Sequence, residues 1–264
     1  MSSSEKWAII TGASSGIGRA LAREFSGGGF NVLLTGRNQD TLSQVARECR
    51  DEFHVSAEMV AAELSDSAST DKLIAAIRSQ PRNYEVLVNN AGFGVHGEFS
   101  KTQIDSEVEL LNVQLAAALK LTKAVLPGMI HRRRGRILNV GSVYCYSPVP
   151  FQAVYSACKA FLLSFSAAIR SELADTGVTV TVFCPGITQT EFRARAGIAE
   201  KNKASGMTAE AAARIAFREA MRGKAVIVPG MPNKLFVFAA KLLPSSTLSG
   251  IVRYINRLRG QKHS

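Results

Sequence analysis

Apolar positions follow two alternating rhythms along this chain of 264 residues. Short apolar, strand-like runs occur at Lys6–Thr11, Asn31–Thr35, His54–Val60, Glu85–Asn89, Arg136–Val140, Val178–Phe183 and Ala225–Val228. Between them apolar residues recur every three or four positions, as Ile17, Leu21, Ala22 and Phe25 do. That spacing predicts helices over Gly16–Ser26, Leu42–Arg50, Ala68–Ser79, about Glu107 to His131, and Ala153–Ala174. Gly27–Gly29 ends the first helix, and Pro81 breaks the third. Strands alternating with helices of this length imply an α/β fold, a doubly wound parallel sheet with helices on both faces. No repeat or linker divides it, so residues 1–229 are expected as one domain. Residues 230–264 form a C-terminal extension packed on or attached to that domain.

Composition supports one domain: 46% of the residues are hydrophobic, enough for a substantial core. Cys49, Cys145, Cys158 and Cys184 show no metal-ligand spacing, and the four histidines form no H-E-x-x-H. Buried free thiols in a reducing compartment are therefore expected, with Cys158 a packing residue. The N-terminal M-S-S-S-E-K-W-A-I-I has only a strand-length apolar stretch, and no run of about 18 apolar residues follows. We expect neither a signal peptide nor a spanning helix, and a cytoplasmic location. The net charge of +11 is uneven: no Asp or Glu follows Glu219, so the first 219 residues carry only +3.

Chemistry first shows in T-G-A-S-S-G-I-G, Thr11–Gly18, between the first strand and the first helix. Glycines at 12, 16 and 18 permit a tight turn, close approach of a pyrophosphate and tight helix–strand packing. The helix start offers free N–H groups to the phosphates. About 20 positions on, NAD enzymes place an acid for the ribose 2′-hydroxyl. Here Gly36 takes that place and Arg37 follows, so nothing repels a 2′-phosphate and a guanidinium can pair with it. Otherwise Arg37 is a solvated arginine. Ser14, Ser15 and Asn38 can add hydrogen bonds.

Tyr155 and Lys159, four apart in Y-S-A-C-K, share a helix face. A cation about 4 Å from a phenol is worth roughly 4 kcal/mol at an effective dielectric near 20. That would lower the tyrosine pKa from about 10 by nearly 3, poising Tyr155 for proton transfer.

The glycine loop, N-N-A-G at Asn89–Gly92, Ser142 and the Tyr155/Lys159 pair resemble the short-chain dehydrogenase/reductase family from about Lys6 to Val228. The resemblance implies a seven-stranded Rossmann-like sheet binding one nicotinamide dinucleotide. It implies that Asn112, Ser142, Tyr155 and Lys159 form a catalytic tetrad. Asn112 would hold a relay water, Ser142 the substrate oxygen, Tyr155 the transferred proton, and Lys159 the nicotinamide ribose. Gly12, Ser14, Ser15, Gly16, Ile17, Gly18, Arg37, Asn38, Glu63, Leu64, Asn90, Ala91, Gly92, Tyr155 and Lys159 would hold NADP(H). Pro185, Gly186, Thr188 and Thr190 resemble the P-G-x-x-x-T loop around the carboxamide. Glu63 stands where the family usually has an Asp near the adenine. The implied activity is an NADPH-dependent carbonyl reductase or the reverse alcohol dehydrogenase; the alternative is an NADP(H)-binding sensor or scaffold.

The expected substrate is a small hydrophobic carbonyl or alcohol, and a homo-oligomer, dimer or tetramer, is expected. Glu191 to about Met207, with Phe192, Arg193, Arg195, Ile198, Lys201 and Lys203, is expected as a lid. Val143, Tyr144, Tyr146, Val149, Pro150 and Phe151 are expected along an apolar wall or in local packing. Leu248, Ile251, Val252, Ile255 and Leu258 mark one face of a helix whose other face carries Arg253, Arg257 and Arg259. That helix covers the cleft or a subunit interface, lies peripherally on an anionic membrane, or receives an acidic carrier. Nucleic acid is not an expected partner, because no recognition motif accompanies the charge.

Overall fold

The computed structural model describes residues 5–80, 82–198 and 206–260. Pro81, Lys201 and Lys203 lie outside the described residues, as do the side chains of Arg193, Ile255, Arg257, Leu258 and Arg259. The first half alternates β1 (Lys6–Thr11), α1 (Gly16–Gly27), β2 (Asn31–Gly36), α2 (Gln39–Phe53), β3 (Ala57–Ala61), α3 (Ser67–Arg78) and β4 (Asn83–Asn89). Then come α4 (Ile104–Leu111), a π-helical turn (Asn112–Ala116), α5 (Ala117–His131), β5 (Gly135–Val140), a short 3₁₀ turn (Val143–Tyr146), α6 (Ala153–Glu172) and β6 (Val178–Phe183). The remainder is β7 (Thr188–Gln189), α7 (Phe192–Arg195), β8 (Met207–Thr208), α8 (Ala209–Met221), β9 (Val226–Ile227), α9 (Met231–Leu242) and α10 (Ser245–Gly260).

Seven strands form one parallel sheet in the order β3-β2-β1-β4-β5-β6-β9. Alternate residues of each strand feed separate cores: Ala8 and Ile10 join the layer of α1, α2 and α8, Trp7 and Ile9 that of α3 and α5. The doubly wound sheet is thus as the alternation predicts. The strand order reverses between β1 and β4, which opens a crevice at their carboxyl ends.

Four details depart from the sequence reading. β3 starts at Ala57 because His54 turns left-handed (φ 55°) to end α2. α8 escaped prediction because its inward face is built of alanines (Ala209, Ala212, Ala213, Ala216, Ala220), which carry little hydrophobic contrast. It packs on α1, with Phe217 edge-on to Phe25 at 5.0 Å. Met207, expected in the lid, packs against the core beside α8. The helical run Ile104–His131 is long and apolar enough, by length and composition, to cross a membrane. Here it lays Leu110, Leu121, Val125 and Met129 into the protein's interior.

Candidate active site

A cleft of about 970 Å³ lies at the carboxyl ends of the strands. Every residue predicted for the dinucleotide lines it, as do Ser142, Tyr155 and Lys159. The chain reaches this arrangement through backbone constraints. Gly12 and Gly16 turn at φ 65° and 54°. Gly18 is where α1 presses on the loop: a Cβ there would lie 2.1 Å from the Gly12 carbonyl oxygen. Asn90 staples the loop from β4, its Nδ2 donating to the Thr11 and Gly12 oxygens at 2.8 and 3.3 Å. The Thr11 hydroxyl accepts from the Asn90 and Ala91 N–H groups, both at 2.9 Å. Thr11 has no part in the glycine pattern, and its position at the strand end is the signal that marks it.

The site fits a dinucleotide. Ser15 precedes α1 without capping it through its side chain, and no acid occupies the first turn, so the helix N–H groups face the cleft unspent. At the other side of the loop no carboxylate stands at Gly36, where a Cβ would meet only Leu42 and the Ser14 hydroxyl. Arg37 is 67% exposed and sits 3.7 Å from Glu63, whose other oxygen holds the Ser65 N–H and hydroxyl. Asn38 caps α2 by accepting from the Thr41 N–H, which leaves its amide N–H₂ and one lone pair of its oxygen for a ligand.

At the opposite end, Gly141 N–H donates to Phe183 O and Val143 N–H to Pro185 O, so the Ser142 loop and the Pro185 loop are tied together. Tyr155 is 7% exposed, enclosed by Leu110, Tyr144 and Phe192, with the Phe192 ring 5.4 Å away. Lys159 is 5% exposed and donates to the Val140 carbonyl at 2.8 Å. Its Nζ lies 5.5 Å from the Tyr155 ring centre.

These surroundings correct the expectation of a lowered tyrosine pKa. Burial pushes the Tyr155 phenol above its ordinary value; the Ser142 hydroxyl opposes this but does not win. Burial also brings the Lys159 ammonium down to about 8. A phenol that titrates higher than this meets a lysine already largely neutral, so the assumed attraction is absent when it would act.

A pH dependence follows. Unfolded lysine keeps its proton to about pH 10.4. Folded Lys159 releases it near 8, so between these values the unfolded state binds more protons and stability rises with pH. Comparing the unliganded wild type with Lys159→Met cancels the opposing effect of Tyr155 above pH 10. The wild type should gain roughly 2 to 3 kcal/mol on the variant between pH 7 and 10 in urea denaturation. A pH-independent difference would refute this.

Asn112 is the one tetrad position that the cleft does not include. It opens the π-helical turn, and its Nδ2 donates to the Ser65 carbonyl at 3.1 Å. That bond uses one N–H of the amide; its oxygen and second N–H remain for the water implied by the resemblance. A small cavity of about 10 Å³, roughly one water in size, does reach Lys159. Asn89 and Gln114 line it, each with an amide oxygen that no protein group among those described satisfies.

Of the expected apolar wall, Val143 and Tyr144 line the cleft. Tyr146 and Val149 turn into packing, with Lys241 set 5.3 Å from the Tyr146 ring. Phe151 takes φ 71° and lies beside His96. Phe192, Arg195 and Ile198 of the expected lid border the cleft. Gln152, Phe93, Pro232, Asn233 and Phe236 border it too, unforeseen, and so does Val252 of the helix expected to cover the cleft. α9 and α10 therefore fold back over the site: for α10 this is the cleft-covering alternative that its amphipathic pattern allowed, whereas for α9 no local sequence signal said so. The face expected on α10 splits, with Leu248 and Val252 inward and Ile251 45% exposed.

Comparison with known proteins agrees with this geometry. The profile of the short chain dehydrogenase family matches residues 6–201. The human "Inactive hydroxysteroid dehydrogenase-like protein 1" is 34% identical over 193 residues, covering 72% of this chain and 58% of that protein. The Bos taurus "Very-long-chain 3-oxoacyl-CoA reductase" is 35% identical over 184 residues, 68% of this chain and 58% of that one. The chain thus spans a little over half the length of both relatives. Among solved structures, a short-chain dehydrogenase from Sphingobium yanoikuyae in complex with NADPH superposes with a TM-score of 0.81. It is 31% identical, over 86% of this chain and 88% of that one.

Proposed function

This chain belongs to the short-chain dehydrogenase/reductase family, and from that premise we propose that it is an NADP(H)-dependent oxidoreductase acting on a hydrophobic ketone or secondary alcohol. The observation that carries the reading is one cleft with the glycine loop at one end and a buried, protonated Tyr155 beside Ser142 at the other. Bound NADP(H) supplies or accepts the hydride. The α1 N–H groups hold its phosphates, and Arg37 holds the 2′-phosphate. Pro185, Gly186, Thr188 and Thr190 close around the carboxamide. Ser142 donates a hydrogen bond to the substrate oxygen, and Tyr155 delivers its phenolic proton there as the carbonyl is reduced. Burial keeps the phenol protonated, so the proton that reduction needs is present on Tyr155. Lys159, with its ammonium on Val140 O, orients the ribose side of the site. Phe93, Tyr144, Phe192, Ile198 and Phe236 give the substrate end its apolar character. The buried free thiols suit a reducing, cytoplasmic setting, and the exposed row Ile104, Val108 and Leu111 with Phe161 suits a homo-oligomer.

The test is a panel of hydrophobic ketones with NADPH and with NADH. Cofactor oxidation favouring NADPH is expected. Arg37→Ala should raise the KM for NADPH by about 10- to 100-fold, the value of a charge-assisted hydrogen bond, and barely move that for NADH. Equal effects on both cofactors would remove Arg37 from 2′-phosphate recognition.

A second reading is favoured by the human relative named inactive: an NADP(H)-binding sensor or scaffold without turnover. Tight NADPH binding with no oxidation across the panel would select it.

A further inference from the structure

α9 is apolar on both sides. Its inward side buries Val237 and Ala240, and Asn233 and Phe236 line the cleft. Its outward side carries Met231, Leu235, Phe238 and Leu242, on successive turns, at 66, 63, 64 and 68% exposure. A helix hydrophobic all round is ordinarily buried all round. A contiguous exposed apolar row of this size marks an interaction surface. On α10, Ile251 and Tyr254 are likewise exposed.

The surrounding charge selects the partner. Lys234 and Lys241 flank the row on α9, and Arg253 adjoins Tyr254 on the exposed side of α10. All three are exposed, and Lys234 and Arg253 form no ion pair among the described residues. No carboxylate side chain follows Glu219 to answer them. Apolar side chains rimmed by cations match an anionic bilayer surface, whose acyl region takes the row while its headgroups take the charges. A second copy of this chain matches poorly, because the face set against itself brings cation onto cation. The row on α4, with Phe161 of α6, offers self-association a separate place.

We infer that the outward face of α9, with the adjoining exposed residues of α10, is a docking surface for an anionic lipid membrane. The other side of the same helix walls the cleft, so docking sets the substrate end beside the lipid and admits lipophilic carbonyls from the bilayer. This last consequence rests on the catalytic reading; the docking itself does not.

The full-length protein should co-sediment with vesicles of three parts phosphatidylcholine to one part phosphatidylglycerol, and be released by high salt. Leu235→Glu/Phe238→Glu should abolish sedimentation. Lys234→Glu/Lys241→Glu should weaken it by more than about tenfold. Both variants should keep their turnover of a water-soluble ketone, because none of the four side chains borders the cleft. Leu235→Glu/Phe238→Glu should keep its melting temperature, and Lys234→Glu/Lys241→Glu should lose only the little that the Lys241 contact with the Tyr146 ring contributes. Tyr155→Phe should sediment as wild type does, which separates failure of docking from failure of the catalytic reading. Wild type that stays in the supernatant overturns the inference, as does a Leu235→Glu/Phe238→Glu protein that still sediments. Wild type that ignores vesicles while this variant elutes as a smaller species gives the face to a second copy, and also overturns it.

Discussion

Tyr155→Phe should lower kcat/KM for NADPH-dependent ketone reduction by about 10²- to 10⁴-fold, the usual contribution of a positioned proton donor. The substitution removes one oxygen and keeps the ring. Leu110, Tyr144 and Phe192 still enclose that ring, so the apolar cluster stays filled. Folding should therefore survive, with a melting temperature close to that of wild type. NADPH affinity should change little, because the glycine loop and Arg37 lie at the other end of the cleft. The informative result is the split between cofactor titration by fluorescence and steady-state turnover. Retention of activity within about tenfold would mean that another group donates the proton.

Gly18→Ala attacks the opposite end by a different route. The added Cβ meets the Gly12 carbonyl oxygen at 2.1 Å and Asn90 Nδ2 at 2.5 Å. The first of these is backbone, so relief requires shifting the loop or lifting α1 from it. Overpacking of this kind costs about 1–3 kcal/mol, and each kcal/mol lowers Tm by roughly 2–4 °C in a protein near this size. The same shift misaims the N–H groups meant for the phosphates. Affinity for NADPH and NADH should fall together by more than about tenfold, unlike the selective effect of Arg37→Ala. Gly250→Ala is the control: a Cβ there meets nothing within 4 Å, so stability should hold or rise slightly. Unchanged affinity in Gly18→Ala would show that the loop tolerates the displacement and that its glycine is not needed there.

Much of the cleft was legible in the sequence because its residues sit where strands end. Thr11–Gly18 follows β1, Asn89–Gly92 closes β4, Ser142 follows β5 and Pro185 follows β6. In a parallel sheet these ends gather on one edge, so motif order along the chain becomes proximity in space. Asn112 shows the limit. It stands where the resemblance puts the asparagine, outside the cleft, and an N–H of its amide goes to Ser65, because a π-helical turn sets where that side chain points. Periodicity cannot report a local change of helix pitch.

The pair Tyr155 and Lys159 marks the boundary most clearly. Their spacing on one helix, their place after β5 and their company of cofactor motifs all follow from the sequence by itself. So do the parallel sheet, the phosphate loop and the basic tail, because each depends on period, glycine or charge near in the chain. The tertiary structure alone decided that burial raises the Tyr155 pKa where the pair by itself would lower it, and that Lys159 is spent on Val140. It alone laid α9 beside the cleft with one apolar face left outward, and chose the cleft among the places open to α10. The reason is common to all three. Desolvation and exposure are set by atoms brought from distant elements, and no stretch of sequence records how much water remains around a side chain.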